Sequence, residues 1–314
     1  MNMRLKSTFN AVAAASLGLL MQPSFALAQA LETVGAPVPY GTEHQPAATN
    51  IARDLQWLDH MILVIITVIV AFVTLLLVYI MIRFNRKRNP VPATFTHNSP
   101  LEVAWTIIPI LILVFIGSFS LPALFTQQEI PVSDITIKAT GNQWYWSYEY
   151  PDVKVGEADT LKFDAFRIDG AMKIDDAAAG WGDDQPMSTA GVMSDVAVKK
   201  LAYYGYTKED FLLATDNAVV IPVGKTVVMQ VTGADVIHAW AMPAFGVMQS
   251  AVPGRLGQLW FKADREGIYF GQCTTLCGKD HAYMPITVKV VSQAAYDAWI
   301  AQATTTGNLR LASN

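Results

Sequence analysis

Two long apolar runs stand out in the first half of the chain. Residues 61–82 and 103–125 contain no charged side chain, and each exceeds the roughly 20 residues that an α-helix needs to cross a bilayer. The second run is interrupted by Pro109 and Pro122. Segment 83–102, between the runs, is short and rich in Arg and Lys. The pattern predicts a hairpin of two transmembrane helices joined by a basic loop.

The charge distribution orients this hairpin. Loops rich in Lys and Arg stay in the cytoplasm, so segment 31–60 and everything after residue 125 are expected to face outward. Residues 1–30 combine two cations, an apolar run and an A-x-A pattern ending at Ala28 or Ala30, which is typical of a cleaved signal peptide. A third membrane anchor is the alternative, but the apolar run is short for a span.

A different pattern begins at Glu129. Short β-branched and aromatic runs alternate with Gly, Pro, Asn and Asp, which predicts an all-β sandwich or barrel over residues 129–314. The weaker pattern of residues 151–215 indicates an acidic insertion with a helix near 194–204, and Ser292 is expected to begin a final helix. The predicted strands are 135–140, 144–150, 219–221, 227–232, 257–261 and 286–291.

Composition and charge narrow the functional classes. The 314 residues carry a net charge of −4, with 15% charged and 52% hydrophobic residues. Nucleic-acid binding is disfavoured because it needs a basic face, and two cysteines are too few for a disulfide scaffold. Residues 149–184 hold ten acidic and four basic side chains. This stretch is either a solvated face or a surface that steers a basic partner.

The most informative stretch lies between residues 271 and 285, where Cys273, Cys277, His281 and Met284 follow one another closely. Thiolate and imidazole suit copper or zinc, and an added thioether favours copper. His238 could supply a second imidazole, and two bridging sulfurs would let two coppers share one electron. A Cys273–Cys277 disulfide, a zinc site and a membrane-tethered copper chaperone are the alternatives.

Taken together, these features resemble subunit II of bacterial haem–copper cytochrome c oxidases. The likeness covers the hairpin, residues 141–150, the His238 segment, residues 252–256 and the Cys/His/Met cluster. It implies a cupredoxin-like Greek-key barrel that holds the dinuclear copper centre called Cu-A. The ligands implied by position are His238, Cys273, the backbone carbonyl of Thr275, Cys277, His281 and Met284.

The resemblance also implies partners and roles. Trp144 would receive electrons from cytochrome c, which would dock on Glu149, Asp152 and Asp235. Glu102 would lie at the mouth of a proton channel into subunit I, where haem receives the electrons, oxygen is reduced and protons are pumped. Subunit III is a further expected partner. The copper domain and N-terminus would lie on the periplasmic side of the bacterial inner membrane.

Some positions depart from the family pattern. Thr275 replaces a common Glu and has no carboxylate, which argues against a magnesium or manganese ligand from this subunit. Asn142, Met248 and Ser250 also differ from the common residues. A quinol-oxidase subunit would lack the Cys/His/Met set, and the Cu-A module of a nitrous-oxide reductase would normally lack the two spans. Both classes are therefore disfavoured.

Overall fold

Two long helices lie in the first half of the chain. This computed structural model describes residues 31–157 and 159–311. Helix α1 runs from Asn50 to Arg83 and helix α2 from Ser99 to Gln128. Both are long and apolar enough to cross a membrane, and the most apolar stretch of each is exposed. The predicted signal peptide, residues 1–30, lies outside the described residues.

Helix α1 starts well before the predicted span 61–82. Thr49 caps it, because its side-chain oxygen accepts a hydrogen bond from the Ala52 N–H. The same hydroxyl donates to the backbone carbonyl of Phe245, 2.8 Å away in the β domain. Ile51 and Ala52 are buried there. The first turns of the helix therefore rest on protein, so the apolar run alone did not reveal where the helix begins.

Helix α2 is likewise longer than the predicted span 103–125. At its C-terminal end the Thr126 carbonyl accepts a hydrogen bond from Trp260 of the β domain at 3.1 Å. The two helices contact each other where the rings of Trp57 and Phe119 lie 5.3 Å apart edge to face. The predicted hairpin is thus present and is tied to the β domain through both helices.

Two β-sheets dominate the rest of the described chain. Their strands are β1 Thr33–Gly35, β2 Ile135–Asn142, β3 Tyr145–Val155, β4 Asp159–Ala165, β5 Val219–Pro222, β6 Thr226–Gly233, β7 His238–Met242, β8 Val247–Ala251, β9 Gly257–Lys262, β10 Gly267–Cys273 and β11 Pro285–Val291. In the first sheet, the strand order is β4-β3-β2-β6-β9, and β2 and β6 run parallel. In the second, the order is β5-β11-β10-β7-β8, with β1 beside β10.

Alternation along β3 shows how the sequence builds the core. Trp146, Tyr148 and Tyr150 are buried between the sheets, whereas Ser147 and Glu149 point to the other face. A final helix, α4, runs from Gln293 to Thr306 and is capped by Ser292 as predicted. Tyr296 and Trp299 of α4 close one side of this core.

The acidic insertion begins later than predicted. Strand β3 continues to Val155 and β4 covers Asp159–Ala165, so the first part of the expected segment 151–215 belongs to the sheet. Leu161 and Phe163 face the core while charged neighbours face outward, and these outward charges obscured the strand pattern. The insertion proper lies between β4 and β5 and contains α3, Asp195–Tyr203, close to the predicted helix. It has a small core of its own, formed by Ile168, Leu201, Tyr206 and Ala214 with Ile268 and Phe270 of β10.

Candidate metal centre

The soft donor residues meet at one end of the second sheet. His238 is the first residue of β7, and Cys273 is the last residue of the neighbouring strand β10, paired with Trp240. The loop that connects β10 to β11 carries Cys277 and His281 and ends at Met284. Adjacent antiparallel strands thus bring residues 35 positions apart to one place, which the linear order of the motif did not show.

The distances within this cluster fit a shared metal site. The Sγ atoms of Cys273 and Cys277 are 3.9 Å apart, whereas a disulfide bond measures about 2.05 Å. Cys277 Sγ lies 3.6 Å from His281 Nδ1 and 3.5 Å from Met284 Sδ. Cys273 Sγ lies 3.3 Å from the Thr275 carbonyl oxygen. Ligand atoms of His238 and both cysteines lie within 4.8 Å of one another. All six sequence-predicted ligand positions therefore come together.

The imidazole of His238 provides an independent test of whether a metal fits. Its Nε2 lies 2.8 Å from a carboxylate oxygen of Asp235. Among the described residues, its buried Nδ1 has no hydrogen-bond partner. An unpaired nitrogen beside two sulfurs is costly in a dry interior unless it binds something. The donor set of two thiols, two imidazoles and a thioether suits copper.

The two thiols are unfavourable neighbours without a cation. Burial, together with the adjacent Cys273, raises the pKa of the Cys277 thiol to about 12. A thiol must lose its proton to bind a metal. A bound cation would therefore offset the burial and the repulsion from Cys273 that keep the Cys277 thiol protonated.

Asp235 has a structural role that the sequence did not reveal. Besides His238, its carboxylate accepts hydrogen bonds from the backbone N–H groups of Gln143 and Val236. Partial burial opposes ionisation of Asp235, but these hydrogen bonds outweigh it and lower the pKa of its carboxyl. A carboxylate on the second nitrogen of a ligand histidine fixes the ring and its tautomer. The spacing of three residues between Asp235 and His238 was the only available signal.

Trp144 lies directly beside the cluster. It occupies the turn between β2 and β3, and its ring packs against Gly278, the residue that follows Cys277. The neighbouring Gln143 donates a hydrogen bond from Nε2 to the Cys277 carbonyl at 2.9 Å. Lys279 Nζ lies 5.3 Å from the centre of the Trp144 ring. The structure thus places a partly exposed aromatic ring between solvent and one of the thiols.

The remaining predicted residues lie elsewhere. Glu149 is not a free carboxylate, since it accepts a hydrogen bond from Thr160 and lies within 4 Å of two lysines, Lys138 and Lys162. Asp152 is exposed further along β3, toward the end away from Trp144. Glu102 lies in the first turn of α2, roughly 40 Å of helix from the start of the β domain at 1.5 Å per residue.

Fold and site define a class of protein: a two-pass membrane protein whose β domain carries a buried cluster of thiol, imidazole and thioether donors. Comparison with known families makes this specific. The profile "Cytochrome C oxidase subunit II, periplasmic domain" matches residues 135–179 and 193–291. The corresponding transmembrane-domain profile matches residues 37–123. The chain belongs to the cytochrome c oxidase subunit II family, as its motifs indicated.

Relatives span nearly the whole chain. "Cytochrome c oxidase subunit 2" of Cereibacter sphaeroides is 55% identical over 302 residues, covering 96% of this chain and 93% of the relative. "Probable cytochrome c oxidase subunit 2" of Rickettsia felis is 39% identical over 283 residues, covering 88% and 78%. The crystal structure of the periplasmic domain of subunit II of cytochrome oxidase (CoxB) of Bradyrhizobium japonicum is 41% identical, with a TM-score of 0.39, and covers 55% of this chain and 96% of that domain. The expected combination of a two-helix hairpin and a cupredoxin-like β domain is confirmed by the family match and the fold.

Proposed function

We propose that this chain is the electron-accepting subunit of a respiratory terminal oxidase that uses cytochrome c. The carrying observation is the convergence of the buried His238, Cys273, Cys277 and Met284 with the partly buried His281 and the Thr275 carbonyl. These groups would hold a dinuclear copper centre, Cu-A. Such a centre supplies one-electron redox chemistry with little change of geometry.

The residues around this site prepare it for that task. Asp235 orients the His238 ring, and Gln143 ties the turn at Trp144 to the Cys277 carbonyl. Burial of both thiols and of the Met284 side chain excludes water. A site held rigidly in a dry environment needs little rearrangement when its charge changes. The contact of Trp144 with Gly278 offers electrons a short packed route from the surface to the site.

Docking of cytochrome c would use the surface around Trp144. Asp235 is adjacent to this turn and its side chain is about one-third exposed, so it could attract a basic partner as well as hold His238. Asp152 is exposed and free to take part at longer range. The charge of Glu149 is largely offset by Lys138 and Lys162, which makes it the weakest of the three expected docking carboxylates.

The hairpin would anchor this domain on the periplasmic side of the bacterial inner membrane. Four cations, at Arg83, Arg86, Lys87 and Arg88, mark the connecting loop as cytoplasmic. Electrons would pass to haem in subunit I, with subunit III as a further partner, and oxygen reduction and proton pumping would take place in the complex. Glu102 lies in the first turn of α2, which would be the cytoplasmic end of that helix, and it would face a proton channel of subunit I. Thr275 offers no carboxylate for a magnesium or manganese ion.

The full-length chain, purified in detergent and loaded with copper, provides the test. Electron paramagnetic resonance should show an unpaired electron shared by two equivalent copper nuclei, and metal analysis should give two coppers per chain. Reduced cytochrome c should bleach the near-infrared band. A signal from a single copper nucleus would contradict the proposal and favour a copper chaperone. Cysteines joined as a disulfide in the loaded protein would also contradict it.

A further inference from the structure

The insertion touches the metal-binding loop through one arginine. Arg167 lies at the start of the insertion, two residues after Ala165, which is the last residue of β4. Its guanidinium lies over the ring of Tyr283, 4.7 Å from the ring centre. Its Nη1 also donates to the Tyr283 carbonyl at 3.4 Å. Tyr283 is one of the two residues between the candidate ligands His281 and Met284, so Arg167 contacts the loop between these ligands.

The side chain of Arg167 is itself held in place by a buried carboxylate. Asp169, which is 5% exposed, accepts hydrogen bonds from Nε and Nη2 of Arg167. The same carboxylate accepts from the backbone N–H groups of Ala171 at 2.8 Å and Gly191 at 3.3 Å. Both N–H groups of Arg167 point to the same oxygen, Oδ2 of Asp169, and two charge-assisted hydrogen bonds to one acceptor hold the guanidinium in place. Arg167 therefore cannot move away from Tyr283 without breaking two hydrogen bonds to a buried acid.

Helix α3 supports this arrangement from behind. The Lys200 side chain is fully buried, and its Nζ donates to the Gly170 carbonyl at 3.0 Å and to that of Met172. These carbonyls flank the turn whose N–H groups bind Asp169. A buried ammonium is costly unless its donors are satisfied. Lys200 thus stabilises the turn at Asp169. A continuous series of polar contacts therefore links α3 to Tyr283 through this turn and Arg167.

The ligand loop needs external support because its own local structure is weak. His281–Tyr283 forms a single 3₁₀ turn, and the preceding Asp280 makes no side-chain cap. Turns of this kind have poor hydrogen-bond geometry and little intrinsic stability. Within the loop, the His281 and Tyr283 N–H groups donate to the Gly278 and Asp280 carbonyls, and contacts from outside the loop add to these two bonds in positioning His281 and Met284.

We propose that Arg167, held by Asp169, is a positioning residue that fixes the His281–Met284 segment and thereby sets how firmly this segment binds copper. The inference rests on the proposed function and adds a role for the insertion, which braces the metal site from the side. The bonds of Arg167 are to Tyr283 and not to a ligand atom, so it acts through the loop.

Another arginine that contacts the insertion provides a closely matched control. Arg310 lies over the ring of Tyr203 at 4.1 Å, donates to the Tyr203 carbonyl at 2.7 Å, and lies 3.9 Å from a carboxylate oxygen of Asp176. Arg167 and Arg310 thus make the same three kinds of contact. Only Arg167 makes them with the ligand loop.

The test compares Arg167→Gln and Arg310→Gln in the copper-loaded full-length chain. The readouts are the visible and near-infrared spectrum, the midpoint potential, and the rate of copper loss to a chelator. Arg167→Gln should shift the spectrum, lower the potential because the thioether that favours reduced copper is held less firmly, and release copper about 10-fold faster or more. Arg310→Gln should lower the unfolding temperature only, and Arg167→Lys should restore part of the loss.

Two results would overturn the inference. One is an unchanged spectrum, potential and release rate in Arg167→Gln. The other is an equal change in Arg310→Gln, which would show that general loosening of the insertion is sufficient. If the wild-type chain itself showed no shared-electron copper signal, the proposed function would fail instead. The two failures are therefore distinguishable.

A second pair of variants covers the case in which Arg167→Gln does not fold. Tyr283→Leu removes the ring under the guanidinium but keeps the backbone carbonyl, and Tyr283→Phe keeps the ring. We expect faster copper release and a shifted spectrum in the leucine variant and wild-type behaviour in the phenylalanine variant. Wild-type copper release and a wild-type spectrum in both variants would count against a positioning role for Arg167.

Discussion

At the scale of single residues, Asp235 illustrates how one carboxylate can have two possible functions. The sequence placed it among the docking acids, and the structure shows it bonded to His238 and to the backbone of Gln143. A carboxylate bonded to the other ring nitrogen of a ligand histidine increases the basicity of the imidazole and holds its orientation. We expect Asp235→Asn to weaken copper binding about 10- to 100-fold, measured by competition with a chelator.

The control for this change is Asp152→Asn, which removes a charge from an exposed acid distant from the copper ligands. It should leave copper binding unchanged and slow only the association with cytochrome c, with an effect that disappears at high salt. Equal copper affinity in both variants and the wild type would assign Asp235 to docking alone.

Trp144 gives a second prediction at this scale. Its ring packs on Gly278 beside Cys277 but contributes no atom to the ligand cluster. Trp144→Gln should therefore slow electron transfer from cytochrome c strongly while leaving the copper spectrum intact. Stopped-flow reduction measures the first and near-infrared absorption the second, with Tyr145→Phe as a neighbouring control. Loss of the near-infrared band in Trp144→Gln would instead make the residue structural.

At the scale of elements, strand β2 leaves room for the imidazole of His238, because Gly141 has no side chain. A Cβ atom at Gly141 would lie 2.8 to 3.0 Å from ring and Cβ atoms of His238, closer than such atoms approach. Gly141→Ala should push the imidazole out of place, weaken copper binding about 10-fold or more, and cost about 1–3 kcal/mol of folding stability from overpacking.

The matched glycine is Gly182 in the insertion, where an added Cβ would meet nothing within 4 Å. Gly182→Ala should bind copper as the wild type does and unfold at nearly the same temperature. Both properties are measured on copper-loaded and copper-free protein. Normal copper binding by Gly141→Ala would show that β2 can move away from His238.

Some strands and helices could be predicted from the local sequence pattern, and others could not. The β-branched and aromatic runs predicted as strands at 144–150 and 286–291 lie in β3 and β11, and Ser292 correctly marked the start of α4. Strand β7, His238–Met242, is buried at all five positions and has no alternation to detect. The start of α1 was missed because Ile51 and Ala52 pack on the β domain, and the apolar run begins only after them.

At the scale of the whole molecule, the insertion packs on the second sheet, where Tyr206 of the insertion contacts Lys289 of β11. Its Nζ lies 4.6 Å from the centre of the Tyr206 ring. Burial, with a smaller contribution from Arg310, lowers the pKa of Lys289 to about 8 from its ordinary 10.5. Between these two pH values the unfolded chain holds a proton that the folded chain has lost. The free energy of unfolding should therefore rise with pH across this window.

Lys289→Met tests this sign. The variant lacks the partly buried ammonium, so it should be more stable than the wild type at pH 7, and its advantage should shrink as the pH rises toward 10. Thermal unfolding of the full-length chain at a series of pH values measures the difference. Lys262→Met, at an exposed position, should show no such trend. A constant difference between Lys289→Met and the wild type would refute the lowered pKa.

The sequence by itself determined the two apolar spans, the basic loop, the all-β texture and the identity of the soft donors, because these depend on composition, hydrophobic period and residue type. Only the tertiary structure decided which atoms meet. The pairing of β7 with β10 brings His238 to the cysteines, Gly141 leaves space for its ring, and Arg167 reaches Tyr283 across 116 positions of chain. Contacts between residues so distant in sequence arise from strand register and packing, which no local pattern encodes.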